Sequence, residues 1–146
     1  EKRNIMQSSN TKTTRRENMQ KDIISTNKAP QAIGPYSQAV RFGNLLFVSG
    51  QIPLDPVTAE IVKGDIKVQT KRILENLNAI LTEGGSSLDN VLRTTIFLAN
   101  LEDYADVNEM YTEFFDKSMP ARSTVQVSRL PMDVRIEIDA IAGINT

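Results

Sequence analysis

Chemistry in this chain has to come from few side chains, because its 146 residues include no Cys, no His and no Trp. A Ser-His-Asp triad, a cysteine nucleophile and a Cys- or His-based metal site are all excluded. What is left is carboxylates, Arg, Lys, Tyr, hydroxyls, backbone groups and water. Arg122 stands out in the run Pro120-Ala121-Arg122-Ser123-Thr124, just after a rigid proline. Its guanidinium offers a planar fork of donors that matches a carboxylate and stays charged at any working pH. Arg122 could instead be half of a structural ion pair, with Glu137 or Asp139 on an adjacent strand. Spacing alone favours that blander role, since lone Arg residues mostly serve structure or the surface. The run Ile33-Gly34-Pro35-Tyr36-Ser37-Gln38 is a Gly-Pro turn that projects Tyr36 and Ser37. Ser49-Gly50-Gln51 closes a strand with a glycine that allows close backbone approach. By themselves these two segments read as a turn and a bulge. Neither a GxxxxGK[ST] nor a GxGxxG phosphate loop occurs.

The elements that must position these residues are legible from Ile33 onward. Gln38–Phe42 and Leu45–Gly50 are apolar runs separated by Gly43-Asn44, a hairpin signal in which both turn residues accept positive φ. Asp65 is a helix N-cap for a stripe of Ile66, Ile73, Leu74, Leu77, Ile80 and Leu81, and Gly84-Gly85 ends that helix. Val91–Ala99 is β-branched and reads as a buried strand. Tyr104, Val107, Tyr111, Phe114 and Phe115 outline a second amphipathic helix, stopped by Pro120. Two strands follow, Arg122–Ser128 and Val134–Ala142. The predicted order is β-β-α-β-α-β-β, an α+β layout with helices on one face of a mixed sheet. In the last strand Val134, Ile136, Ile138, Ala140 and Ala142 alternate with Arg135, Glu137, Asp139 and Ile141. Arg122, Thr124, Gln126 and Ser128 alternate likewise with Ser123, Val125 and Val127, on what is expected to be the neighbouring strand. Two small helices cannot cover both sides of such a sheet, so the half-polar face predicts an oligomer.

Residues 1–20 hold five basic and two acidic side chains and too little apolar surface to offset ordering, so a flexible extension is expected there, with one domain over 21–146. The remainder holds 12 basic and 16 acidic side chains, a net −4, which disfavours a phosphate-backbone binder. No stretch approaches the roughly 20 apolar residues of a membrane span and no signal-peptide core is visible, so no membrane partner and a cytoplasmic location are expected. The basic, hydroxyl-rich leader also has some character of a mitochondrial transit segment. Glu1, Glu17 and the lack of an amphipathic stripe argue against that.

Taken together, GPYSQAV, LLFVSGQIPLDP, VLRTTIFL, Asp106-Val107-Asn108-x-x-Tyr111, PARSTVQVSRLP and RIEIDAIA resemble the RidA/YjgF reactive-intermediate deaminases, also called the L-PSP endoribonuclease family. The resemblance spans about residues 21–143. It implies a chorismate-mutase-like α+β fold, a homotrimer with three intersubunit clefts, and cofactor-free, metal-free hydrolysis of 2-iminobutanoate and 2-iminopropanoate to 2-keto acids and ammonia. It also implies that Arg122 pairs with the substrate carboxylate and that Glu137 handles the attacking water. Tyr36, Ser49, Gly50 and Asn108 match cleft-lining positions. Thr124 stands where many members have Cys, which removes thiol-based regulation but leaves a backbone contact. The implied chemistry suits the composition, since an electrophilic imine needs orientation and modest acid–base help rather than a strong nucleophile. Two alternatives remain open, an endoribonuclease and a non-catalytic ligand-binding or chaperone-like trimer. Metal-free RNA cleavage usually wants His and a basic surface, and this chain offers neither.

Overall fold

The computed structural model describes residues 19–145, so nearly all of the predicted N-terminal extension lies outside the described residues. Eight elements follow in order: β1 (Lys21–Ile24), β2 (Ala39–Phe42), β3 (Leu45–Gln51), α1 (Ile66–Glu83), β4 (Val91–Leu98), α2 (Tyr104–Phe115), β5 (Ala121–Gln126) and β6 (Ile136–Gly143). They form one six-stranded sheet in the order β1-β2-β3-β6-β4-β5. The β4–β5 pair is parallel, joined through α2, and the other pairs are antiparallel. The expected α+β architecture is the one observed.

The local signals work as their chemistry dictates. Phe42 pairs with Leu45 across Gly43-Asn44, and Gly43 takes φ 58°. Asp65 Oδ1 accepts from the Val68 amide at 3.0 Å, capping α1. The predicted stripe of α1 is buried, and Thr70 and Asn76 join it. Gly85 supplies the positive φ after the helix, 81°. Gly84 is required for a different reason, since a Cβ there would lie 2.6 Å from the buried Leu46 side chain.

Two expectations are corrected. Lys21–Ile24 is a strand that periodicity missed, because four residues with two apolar side chains carry no readable alternation. It is held by pairing with β2 and by an Arg41–Asp22 ion pair at 3.0 Å. The strand beside β6 is not β5. β6 sits between β3 and β4, and β5 lies beyond β4 at the sheet edge. An Arg122 pairing with Glu137 or Asp139 on an adjacent strand is therefore ruled out by topology.

The register assigns the faces. Ala39, Val48, Ala140, Thr94 and Arg122 fall in one cross-strand row on the side covered by α1 and α2. The core there joins Leu46, Val48, Ile96, Leu98, Ile136 and Ile138 to the helical Leu74, Leu77 and Leu81. Among the described residues no helix covers the opposite face. Phe47 and Val125 each stay 43% exposed on it, beside Arg93, Thr95, Glu137 and Asp139.

Leu77 is fully buried between α1 and the sheet. Leu77→Ala is expected to cost about 2–5 kcal/mol of unfolding free energy, read as a lowered urea midpoint with an unchanged slope.

Candidate functional site

Sequence-predicted site residues gather in two sets on opposite faces of the sheet. The first set forms around Arg122. Because Arg122 pairs in register with Thr94 on the helix-covered side, its side chain reaches α2 rather than β6. Its Nη1 donates to Asn108 Oδ1 at 2.8 Å and its Nη2 donates to the Tyr104 hydroxyl at 2.9 Å. The guanidinium carbon lies 4.8 Å from the centroid of the Tyr111 ring and 5.5 Å from that of Tyr104. The contacts fit cation–π attraction, which favours a guanidinium over an aromatic face. Tyr111 is fixed in turn by a 2.7 Å hydrogen bond between its hydroxyl and Thr94 Oγ1. Burial pushes the Tyr111 phenol up from its usual range, against smaller opposing effects of Thr94 and the Arg122 charge.

Among the described residues no carboxylate comes within ion-pair distance of Arg122. Two of its five N–H groups are spent on neutral oxygens, and among the described residues the guanidinium makes no further hydrogen bond. A cavity of about 530 Å³ opens beside it, walled by Asn108, Tyr111, Phe115, Met119 and Pro120. Thr124 follows on the same strand, and its buried Oγ1 has no hydrogen-bond partner among the described residues. Tyr104, expected in the apolar stripe of α2, is exposed and serves Arg122 instead. Tyr104, Asn108 and Tyr111 are spaced i, i+4, i+7, so one helix face presents all three. That spacing was readable in the sequence, but its meaning depended on knowing that Arg122 lies opposite.

Glu137 anchors the second set. The β3–β6 register slips between Val48 and Gln51, leaving Ser49 and Gly50 as a bulge. Ser49 is tied down by its amide donating to Gln38 O at 2.9 Å and its hydroxyl donating to Ser37 O at 2.6 Å. The Glu137 side chain packs directly over Gly50. A Cβ at position 50 would lie 2.9 Å from the carboxyl carbon and closer still to Oε1. Glycine is needed here for close approach rather than for its backbone angle. Burial pushes the Glu137 carboxyl above its ordinary value of 4.5, and the like charge of Asp139 adds to the effect. Among the described residues no cation lies within ion-pair distance to oppose it.

Tyr36 completes this set. Its amide donates to Gly34 O at 2.9 Å, and its hydroxyl accepts from the Ile33 amide at 3.3 Å. Tyr36 and Gly50 line a cavity of about 270 Å³ that continues past Pro30, Ile33 and Met132. Arg122, Asn108 and Thr124 thus lie together, as do Tyr36, Ser49, Gly50 and Glu137. Among the described residues no hydrogen bond or ion pair joins the two sets within one chain.

A fold of this topology with this pair of surfaces defines a class, and comparison with known proteins gives the same class. The endoribonuclease L-PSP family profile matches residues 26–144, and the chain belongs to that family, as its motifs indicated. It is 60% identical over 124 residues to a RutC family protein of Pyrococcus abyssi, covering 85% of this chain and 98% of the relative. It is 47% identical over 120 residues to the mouse 2-iminobutanoate/2-iminopropanoate deaminase, covering 82% of this chain and 89% of the relative. The crystal structure of Escherichia coli TdcF with bound serine superposes with a TM-score of 0.80 at 46% identity, covering 85% of this chain and 99% of that one.

Two outcomes follow from the Gly50–Glu137 packing. Gly50→Ala must push the carboxylate aside, so the folded protein is expected to lose thermal stability at neutral pH. Glu137→Gln should do the reverse. A raised carboxyl pKa favours the folded state below the ordinary value of 4.5 and loses that contribution as pH rises through the raised value. The Gln variant removes the loss, so its melting temperature should exceed the native one at pH 8 relative to the difference at pH 4.

Proposed function

We propose that this protein hydrolyses small 2-imino acids to 2-keto acids and ammonia, in clefts formed where the Arg122 surface of one subunit meets the Glu137 surface of another in a homotrimer. The observation that carries this reading is Arg122, a half-buried guanidinium oriented by neutral groups and lacking a carboxylate partner among the described residues. Orienting a cation without neutralising it leaves a receptor for a ligand carboxylate. The name of the mouse relative and the serine bound to E. coli TdcF support a small ligand with a carboxylate beside a nitrogen-bearing carbon.

In this mechanism Arg122 holds the substrate carboxylate through its unspent N–H groups, with Asn108 and Tyr104 setting the plane of the fork. Water then adds to C2 of the protonated imine, its oxygen forming the new C–O bond as the C=N π pair moves to nitrogen. Glu137 takes the proton released by that water. Its raised pKa brings it nearer neutrality, where a carboxyl can both accept and return a proton. The Glu137 carboxyl returns that proton to the carbinolamine nitrogen, the C2–N pair leaves with ammonia as the hydroxyl oxygen forms the C=O, and the hydroxyl proton passes through water to the departing ammonia, giving the keto acid and ammonium. Nothing is oxidised or reduced. Ser49 and Gly50 supply backbone to the cleft floor, Tyr36 a ring at its mouth, and Thr124 a backbone contact beside the carboxylate. The trimer assigns the open sheet face, with Phe47 and Val125, to subunit contact.

The deciding assay generates 2-iminobutanoate from threonine with a PLP-dependent dehydratase and follows imine loss with and without this protein. Acceleration is expected, and none at micromolar protein would overturn the proposal. Cleavage of ordinary RNA at low salt by the same preparation would point instead to the nuclease chemistry of the family name. Light scattering should give three times 16.3 kDa.

Arg122→Lys keeps the charge but loses the fork, and kcat/KM is expected to fall by about one to two decades, equivalent to roughly 1.5–3 kcal/mol. Glu137→Gln keeps the shape but removes the proton acceptor, so kcat should fall more than KM rises. In the native protein kcat/KM should climb with pH as the Glu137 proton is lost, and that limb should be absent from the Gln variant. Turnover near native in both variants would reject these roles.

A further inference from the structure

The segment that walls the Tyr36 cavity has no regular helix or strand between Ser25 and Pro35, so its backbone groups have no ladder to satisfy them. One buried side chain does much of that work. Gln38 Oε1 accepts from the Thr26 amide at 2.7 Å, and Nε2 donates to Pro30 O at 2.7 Å, to Thr26 O at 3.1 Å and to Ala29 O at 3.4 Å. The main chain of the same residue holds the bulge, since Gln38 O accepts from the Ser49 amide. Gln38 therefore joins three things: the wall at Pro30–Ile33, the turn that presents Tyr36, and the backbone that seats Gly50 under Glu137. Burying a carboxamide is unfavourable unless its donors and acceptor are all matched, and here they are.

We propose that Gln38 is a positioning residue for the reaction. Its carboxamide pins the backbone of Thr26, Ala29 and Pro30 and so holds Pro30–Ile33 as a preformed wall of the cavity shared by Tyr36 and Gly50, so that the part of the substrate beyond C2 meets a rigid surface. This inference rests on the imine-hydrolysis reading. Gln38 also borders this cavity, but its carboxamide is spent on backbone groups of Thr26, Ala29 and Pro30 and hydrogen-bonds neither Arg122 nor Glu137. A wall of this kind binds ground state and transition state alike, so its loss raises KM and leaves kcat nearly unchanged.

The test uses Gln38→Leu and Gln38→Glu in the full chain, with 2-iminobutanoate turnover and with equilibrium binding of 2-oxobutanoate, the stable keto product. Gln38→Leu should raise both KM and the 2-oxobutanoate Kd by about tenfold, within the range one lost apolar contact can produce, while kcat changes less than about threefold. Gln38→Glu adds a pH signature. Its neutral acid keeps one donor for Pro30 O and one acceptor for the Thr26 amide, whereas its carboxylate has no donor and faces carbonyl oxygens. The ratio of variant to native Kd for 2-oxobutanoate should be near one in acid and climb as pH rises. If Gln38→Leu does not fold, Gln38→Asn decides with it: its shorter neutral amide cannot span Thr26 and Pro30, so KM and Kd should rise at every pH, and native values there would overturn the proposal. A lowered melting temperature with native KM and Kd, or a flat ratio across pH, would reduce Gln38 to a structural residue and overturn the proposal. Native protein that binds 2-oxobutanoate in a Gln38-dependent way but hydrolyses no imine would overturn the imine reading while retaining the wall. Failure of the native protein both to bind and to hydrolyse would end both.

Discussion

Strand β6 is hydrogen-bonded on both sides, to β3 and to β4, and the rest of the molecule depends on that placement. Its strict alternation sends Ile136, Ile138, Ala140 and Ala142 into the core under the helices and Glu137 and Asp139 to the opposite face. Because the last strand inserts between strands that precede it, it ties the β1–β3 meander to the β4–α2–β5 unit. The same insertion brings Glu137 against Gly50, and the bulge at Ser49-Gly50 makes room for it. The buried apolar row and the candidate carboxylate are thus two consequences of one pairing. A one-residue slip of β6 would exchange its faces, placing carboxylates in the core, which is why the register is strongly specified.

The two charges of the candidate site are handled in contrasting ways. Arg122 is oriented by a tyrosine hydroxyl, an asparagine oxygen and two aromatic faces. Glu137 is pushed toward its neutral form by burial and by Asp139. Pairing them with each other would have been the simpler route to stability, but topology separates them by a full strand and by the thickness of the sheet. An unpaired charge in a half-buried setting is unfavourable unless something else compensates it. The proposed trimer relates the two through another subunit and a ligand, giving a physical reason for both charges to stand unpaired within one chain.

Polar side chains also do the work that regular structure leaves undone. Asn76, fully buried on α1, donates to Leu54 O and accepts from Arg72 Nε, which anchors the loop between β3 and α1. Gln38 does the same for the segment between β1 and β2. Both loops wall the Tyr36 cavity, so its shape is set by buried amides rather than by apolar packing alone.

Much of this protein was determined by its sequence in isolation. The Gly43-Asn44 turn, the Asp65 cap, the stripe of α1 and the alternation of β6 are local, because short-range sterics and hydrophobic period act over a few residues. Element order already carried the α+β class, and family motifs carried the identity of the candidate residues, which chain physics alone left as a turn, a bulge and a lone arginine. Tertiary structure decided what those residues face. It made a strand of Lys21–Ile24, whose weak pattern becomes meaningful only beside β2. It placed β6 between β3 and β4, separating Arg122 from the acids that seemed its natural partners. It also turned the i, i+4, i+7 set Tyr104, Asn108 and Tyr111 toward Arg122. Strand order and cross-element contact depend on which distant surfaces bury one another best, a long-range free energy that no local window of sequence contains.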